Sequence, residues 1–429
     1  MKKLLTLVLA LIMVLGMVSF ASADEEITLT FVNQTGNWQE CMQPLLDMYY
    51  EQTGVKIVQE NYSFNDLLNA IEVKVGTGSD EFDILSLDIP MLSSYAYRGM
   101  MYDMTDYFSA EDIANLLPAA VEASTFEGRL YASPLATSSQ IMYYNTALCE
   151  QAGMDMEELA SYTVENRCTW EHLAELAAAG QKALDPDGSK GILGIEFAQV
   201  DRVYQMNQLP NSMGGAQISE DGFSLDGVIN TEPWVKALTW YQDLVKAGIS
   251  SRGISASEIG DYFYSDKCFF FIGTTEYPVN CEKKGMMTCA WMPSPCFEGY
   301  EDKVATPTGS WHFGVSAYSK HPEEAAKFVR WLTCDPVALR TWYDSKETFM
   351  AYQPLLDELE ADPNTRAHMK IAFYEAAHTA YPRAMTPAFN EYSAVINALW
   401  SDVRNGEDVQ ECIDWAIEEY AAQVQKFQK

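Results

Sequence analysis

The sequence predicts an α/β protein of two lobes joined by crossing strands. Three observations carry this. At 429 residues the chain is long enough for two domains of ordinary size, each with its own core. Residues 27–90 alternate short β-favouring runs with amphipathic helical ones, an order that builds a parallel sheet. Residues 125–153 then read as two strands meeting at Pro134: 129–134 and 141–145 are short and aromatic, and Phe126, Glu127 and Gly128 ahead of them form a turn signal. A chain that leaves one α/β unit there and enters another places the small polar residues 134–140 at the mouth of a cleft.

Ahead of the first strand, Lys2 and Lys3 precede an apolar run over 4–20 and the small residues Ala21, Ser22 and Ala23. This is the pattern of a secretory signal peptide cut near Ala23. A membrane-spanning helix is the competing reading, but the run is short for a ~20-residue span and ends in a cleavage pattern. No cysteine stands at the junction to carry a lipid. The expectation is an exported protein, periplasmic or extracellular, that is soluble and monomeric from about Asp24 on.

From there, 27–32 alternates as a strand and 33–37 follows as a polar loop. An amphipathic helix over 39–53 ends at Gly54, with Leu45, Leu46, Met48 and Tyr49 on its apolar side. A strand at 55–60, a helix at 65–76 and a buried strand at 82–87 complete the first unit. Ligands bind such sheets at the carboxyl ends of strands, where 33–38 and Asp88 sit. Asp88 reads equally as an N-cap for the helix after Pro90.

Past the crossing, Thr169 caps a helix over Trp170–Leu184 and a turn at 185–188 leads to a strand at 192–198. Asp185, Asp187, Ser189 and Glu196 fall at positions one, three, five and twelve of a calcium loop, but Lys190 stands where that loop demands glycine. A helix over 204–213 breaks at Gly214 and Gly215, and 219–227 reads as a small hairpin. A helix over 232–247 follows, then the buried strand 268–272 closing at polar residues 273–277, and a strand at 286–292. The small-residue run 306–313, with Trp311 embedded, suits a second crossing that leads into 314–317. Helices at 322–332, 388–404 and 409–425 close the chain.

Composition excludes whole classes of function. Hydrophobic residues at 48% and aromatics at 12% rule out disorder. The formal charge of −33, deepened by two on loss of Lys2 and Lys3, makes nucleic acid and anionic membrane poor partners. The charge serves solubility first and a cationic ligand second. Nine cysteines read first as small buried hydrophobes and second as one or two disulfides. Seven and six residues separate Cys281, Cys289 and Cys296, which is no C-x-x-C metal pattern, and the five histidines show no metal spacing either. Nothing in the sequence requires a cofactor.

Several short motifs recur in a fixed order: Phe82-Asp83-Ile84 with Asp88-Ile89-Pro90, Glu127-Gly128 with Tyr131 and Pro134, and Tyr143-Tyr144-Asn145 with Ala152-Gly153. Thr169-Trp170, Gly214-Gly215, Phe271-Ile272-Gly273, Gly309-Ser310-Trp311 with Gly314, and Pro382-Arg383 with Pro387 continue it. In this order and spacing the chain resembles the extracellular solute-binding proteins of ABC importers, in the large sugar-binding family that includes maltose-binding protein. The resemblance implies the type II two-lobed periplasmic-binding-protein fold, no enzymatic activity, and delivery of a solute to a membrane permease. It implies an N-terminal lobe of 24–135 plus 314–348 and a C-terminal lobe of 136–313 plus 349–429. Sugar contacts carry over onto Asn33, Gln34, Trp38, Asp88, Ser138, Ser139, Thr274, Glu276, Tyr277, Trp311 and Arg383. The chain departs from the family at Glu276, where many relatives carry a stacking tryptophan, and at Ser138-Ser139, where an acidic or polar pair is usual.

The chemistry of these residues suits a sugar independently. Trp38 and Trp311 offer planes for the C–H faces of a ring, while Asp88, Glu276 and Arg383 offer charge-assisted hydrogen bonds to hydroxyls. Trp170, Trp234, Trp240, Trp331 and Trp400 lie at helical spacing and read as core. Two alternatives remain open at this point. A cationic solute, a polyamine or basic peptide, is motivated by the negative charge and Glu276. A glycoside hydrolase would need two carboxylates across the cleft, for which Asp88 and Glu276 are the pair. No G-x-S-x-G motif supports a nucleophilic enzyme.

Overall fold

The computed structural model describes residues 26–309, 311–346 and 350–427, so the signal-peptide reading of 1–23 lies outside the described residues. Among the described residues thirteen strands follow in chain order. They are β1 (Thr28–Gln34), β2 (Lys56–Tyr62), β3 (Ile84–Asp88), β4 (Thr125–Phe126), β5 (Arg129–Leu130), β6 (Ala132–Pro134) and β7 (Ile141–Asn145). After these come β8 (Leu193–Phe197), β9 (Cys268–Gly273), β10 (Cys289–Met292), β11 (Thr306–Pro307), β12 (Trp311–Val315) and β13 (Ala380–Tyr381).

Two main sheets result. The first has the order β2-β1-β3-β12-β6 and the second β10-β7-β9-β8. In the first, β1 pairs in parallel with β2 and β3, as the alternating order requires, and β12 runs antiparallel between β3 and β6. In the second, β8 and β9 are parallel while β7 enters antiparallel to β9. The chain thus passes from β6 in one sheet to β7 in the other through 135–140.

Each sheet is covered by helices on both faces, and period-two alternation decides which residue goes where. Val32, Leu85 and Leu87 pack on one side of the first sheet with Leu67, Ile71 and Tyr95, while Leu29, Phe31, Ile84 and Phe313 pack on the other with Leu45, Tyr49 and Phe328. In the second sheet Met142, Tyr144, Phe270 and Ile272 meet Leu173, Tyr241 and Trp400 on one face. Ile141, Tyr143 and Phe271 meet Phe263, Leu356 and Phe373 on the other. Trp170, Trp234 and Trp400 are buried core residues; Trp240 and Trp331 are half-buried.

Several local expectations hold in detail. Thr169 caps Trp170–Leu184 by accepting from the His172 N–H at 3.1 Å. The helix Asn37–Thr53 ends where Gly54 takes φ 74° and its N–H closes on the Tyr50 carbonyl at 2.8 Å. Seven of the nine cysteines are buried, and no disulfide joins any two of them among the described residues. No helix among the described residues is long and apolar enough to cross a membrane.

Others are corrected. Residues 33 and 34 extend β1 instead of opening a polar loop, because β2 continues to Tyr62 and supplies partners through Gln34. The 204–213 segment is two short helices, Val203–Met206 and Gln208–Asn211. The hairpin at 219–227 is a set of turns held by Ser219 and Asp221 side chains, which satisfy the backbone locally. The strand at 286–292 shortens to β10, since the Met286 N–H closes the preceding helix onto Cys281. Three helices, Pro336–Lys346, Gln353–Ala361 and Ala367–His378, occupy a stretch left unassigned from sequence.

The resemblance to a calcium loop dissolves in the geometry. Asp185 accepts from the N–H groups of Lys190 and Ile192 at 2.9 and 3.0 Å, as an Asx-type turn does. Glu196 is fully buried and turned to the Ser251 N–H at 2.6 Å. Among the described residues no group of three metal-ligating side chains converges.

Candidate functional site

A cavity of about 900 Å3 opens where the carboxyl ends of β3, β8 and β9 come together. Parallel strands deliver their carboxyl ends to one edge, and there the chain turns into helices whose first residues remain polar. From the first sheet come Asp88, the last residue of β3, and Trp38, in the first turn of the helix after β1. Trp311 joins them because β12 runs antiparallel to β3: its first residue is paired with Asp88. From the second sheet come Thr274 and Glu276 after β9, and Gln199, Arg202 and Tyr204 after β8. The crossing segment supplies Thr137 and Ser138.

The floor is a knot of short polar contacts between the two crossings. Thr137 and Thr308 hydroxyls lie 2.8 Å apart, and Ser138 Oγ lies 2.8 Å from the Tyr204 hydroxyl. The Gly309 N–H donates to Ser138 Oγ at 3.0 Å. A Cβ on Gly309 would come within 2.7 Å of both Ser138 Oγ and the Tyr204 hydroxyl, so this close approach requires glycine. Arg383 lies over the Tyr204 ring at 5.1 Å and donates to Asp88 at 2.5 Å. With side chains only 11% and 22% exposed, this ion pair is largely shielded from water. Asp88 therefore makes no side-chain cap for the turn at Ile89–Met91; its carboxylate belongs to Arg383.

The aromatic lining is ordered. Trp38 and Trp311 rings sit 6.2 Å apart, and Trp342 backs Trp38 at 5.0 Å. Tyr277 is packed among Tyr143, Tyr264 and Phe271, with Gly273 leaving room for its ring. It lines an adjoining cavity of about 290 Å3 that shares Arg202, Thr274 and Glu276 with the larger one. Glu276 accepts from the Thr274 hydroxyl.

Two histidines next to the cleft are held neutral at physiological pH. Burial, reinforced by Arg383, pushes His312 down to about 3. Burial, reinforced by Arg366, pushes His368 down to about 4. Burial raises the Tyr204 phenol, so it stays protonated and able to donate.

Of the residues nominated from sequence, Trp38, Asp88, Ser138, Thr274, Glu276, Trp311 and Arg383 line the larger cavity, and Tyr277 the smaller. Asn33, Gln34 and Ser139 line neither. Asn33 is buried and donates to Gln59 at 3.1 Å, and Ser139 is fully buried. Sequence reasoning passed over Arg202, Tyr204, Lys283, Tyr343 and the 364–369 segment. Arg202 was within reach, since it follows the carboxyl end of β8 by the same rule that nominated Asp88.

Two helix-covered sheets joined by crossing strands, with a cleft at the strands' carboxyl ends, define a binding protein of the two-lobed periplasmic type. A family model for bacterial extracellular solute-binding proteins matches residues 45–372. A probable ABC transporter-binding protein of Deinococcus radiodurans is 25% identical over 418 residues, 91% of this chain and 92% of its own length. The mannitol-binding protein of Pseudomonas aeruginosa is 25% identical over 324 residues, 74% of this chain and 67% of its own. The solved structure of the maltose-binding periplasmic protein of Listeria monocytogenes, in complex with maltose, shares the fold with a TM-score of 0.75 at 17% identity, covering 94% of this chain and 98% of that one. The chain belongs to the family of bacterial extracellular solute-binding proteins.

Proposed function

We propose that this protein captures a carbohydrate, an oligosaccharide, in the cleft and delivers it to the permease of an ABC importer. The observation that carries the reading is the pair of tryptophan rings, Trp38 and Trp311, set 6.2 Å apart beside the Asp88–Arg383 ion pair. Flat apolar faces next to charge-assisted hydrogen-bond partners match the C–H faces of a pyranose and the hydroxyls around its rim. A cavity of about 900 Å3 lies at the upper end of the ~300–1,000 Å3 range of small-molecule sites, which suits more than one ring. The names of relatives and of the solved neighbour, mannitol and maltose, point the same way.

The cationic alternative is not favoured by the lining, where basic side chains outnumber acidic ones. Nor is hydrolysis favoured, since Arg383 occupies the Asp88 carboxylate and the Thr274 hydroxyl engages Glu276. In this reading the protein is a monomer, exported with its signal peptide removed near Ala23. The lobes are 24–135 plus 314–348 and 136–313 plus 349–429, and they close about the crossing strands. A solute that touches both lobes only when they are shut couples binding to recognition by the permease.

A thermal-shift screen of the mature protein tests this, using mono- and oligosaccharides beside polyamines and amino acids. Ligands that bind only the native state raise its melting temperature. The expected result is a rise with saccharides; a rise confined to polyamines or amino acids overturns the reading.

A further inference from the structure

We infer that the saccharide is acidic, a sugar chain bearing carboxylate or phosphate groups that are held by Arg202 and Lys283. This rests on the carbohydrate reading and specifies its chemical class. Across the chain 28 Lys and Arg face 61 Asp and Glu. The cavity reverses that balance, with Arg202, Lys283, Arg366 and Arg383 against Asp88, Glu276 and Asp344.

Pairing sharpens the contrast. Arg383 holds Asp88 at 2.5 Å, Arg366 turns to Glu282 at 3.1 Å, and Asp344 is taken by Arg340 at 2.9 Å. Among the described residues Arg202 and Lys283 make no ion pair. Arg202 has one long contact, to Gln199 at 3.5 Å, and lines both the larger cavity and the smaller. Among the described residues Glu276 is the one lining carboxylate without a cationic partner, leaving two unpaired cations for one unpaired acid.

Three lining residues carry a buried polar atom without a partner, and two of those atoms are donors, the third being the ring nitrogen His368 Nδ1. Arg383 Nε is a buried donor without an acceptor. Gln140, fully buried in the wall of the smaller cavity, also has an amide Nε2 that completes no hydrogen bond, although the Tyr204 hydroxyl interacts with that amide. Its orientation is dictated by Gln205. That side chain accepts from the Gln199 N–H at 2.6 Å and donates to the Ile272 carbonyl at 3.0 Å, so it presents its NH2 group to Gln140, which must answer with oxygen. A sugar hydroxyl that accepts such donors still needs an acceptor for its own proton. A carboxylate or phosphate only accepts, and it also meets the unpaired cations.

The test is calorimetric titration of the mature protein with oligogalacturonides of two to four residues, neutral galacto-oligosaccharides of the same length, and a hexose 6-phosphate. The expected result is at least tenfold tighter binding of a charged probe than of its neutral counterpart. That preference should narrow with added salt and in Arg202→Gln and Lys283→Gln. The oligogalacturonide and phosphate arms separate the two anionic groups. Neutral chains binding as tightly as charged ones overturn the inference and leave the carbohydrate reading standing. Binding of the charged probes that is insensitive to salt and to both substitutions also overturns it. No binding by any sugar in these titrations or in the wider saccharide screen removes both.

Discussion

Arg383 reaches Asp88 across 295 positions of the chain, donating from Nη2 to Oδ1 at 2.5 Å. One partner ends a central strand of the first sheet; the other follows β13, the short strand that pairs with β11. The contact thus ties the edge of one sheet to the segment beside the second crossing, at the base of the cleft.

Replacing Asp88 with alanine leaves that guanidinium shielded and unpaired, with Nε already lacking an acceptor. The expected loss is roughly 1–3 kcal/mol of unfolding free energy, read from urea denaturation. Arg383→Met keeps the stem and orphans the more exposed partner, the Asp88 carboxylate, and should cost less.

Trp311→Ala removes one of the two aromatic planes. With the saccharide that gives the largest thermal shift, affinity measured by calorimetry should fall by about 2 kcal/mol, roughly thirtyfold, as for a buried aromatic anchor. An unchanged affinity would place the sugar elsewhere.

Gly309→Ala forces a methyl group to within 2.7 Å of Ser138 Oγ and the Tyr204 hydroxyl. Crowding of this kind costs about 1–3 kcal/mol. The melting temperature and the saccharide affinity should both drop, because the displaced Tyr204 is the ring beneath Arg383.

Glu196 is fully buried, and burial raises its pKa to about 7, against an ordinary value of 4.5. The folded state therefore keeps a proton that the unfolded chain releases. The stability this contributes is complete below pH 4.5 and is lost progressively as pH rises to about 7. Glu196→Gln should match the parent protein near pH 4.5 and exceed it increasingly up to pH 7, in paired denaturation curves at several pH values. A constant difference would mean that Glu196 is ionised throughout.

Much of the architecture was legible locally. The strand at Ile141–Asn145, the capped helix at Trp170–Leu184 and the buried run at Cys268–Gly273 announce themselves through periodicity, an N-cap and an unbroken apolar stretch. The helix Gln353–Ala361 carries a local signature too, with Leu355, Leu356 and Leu359 on one face. The segment at 219–227 misled because its serine and aspartate side chains close turns that mimic hairpin chemistry.

What the sequence determined by itself was the alternation of strands and helices, the places where the chain crosses between units, and the residues at strand ends. These depend on side-chain period and on neighbours a few positions away. Only the tertiary structure decided that Asn33 lies in the sheet interior, that Arg383 neutralises Asp88, and that Arg202 and Lys283 make no ion pair among the described residues of the cleft. Those outcomes depend on which distant segments meet, on the antiparallel entry of β12 and on how charges pair once water is excluded, and none of these leaves a local signature.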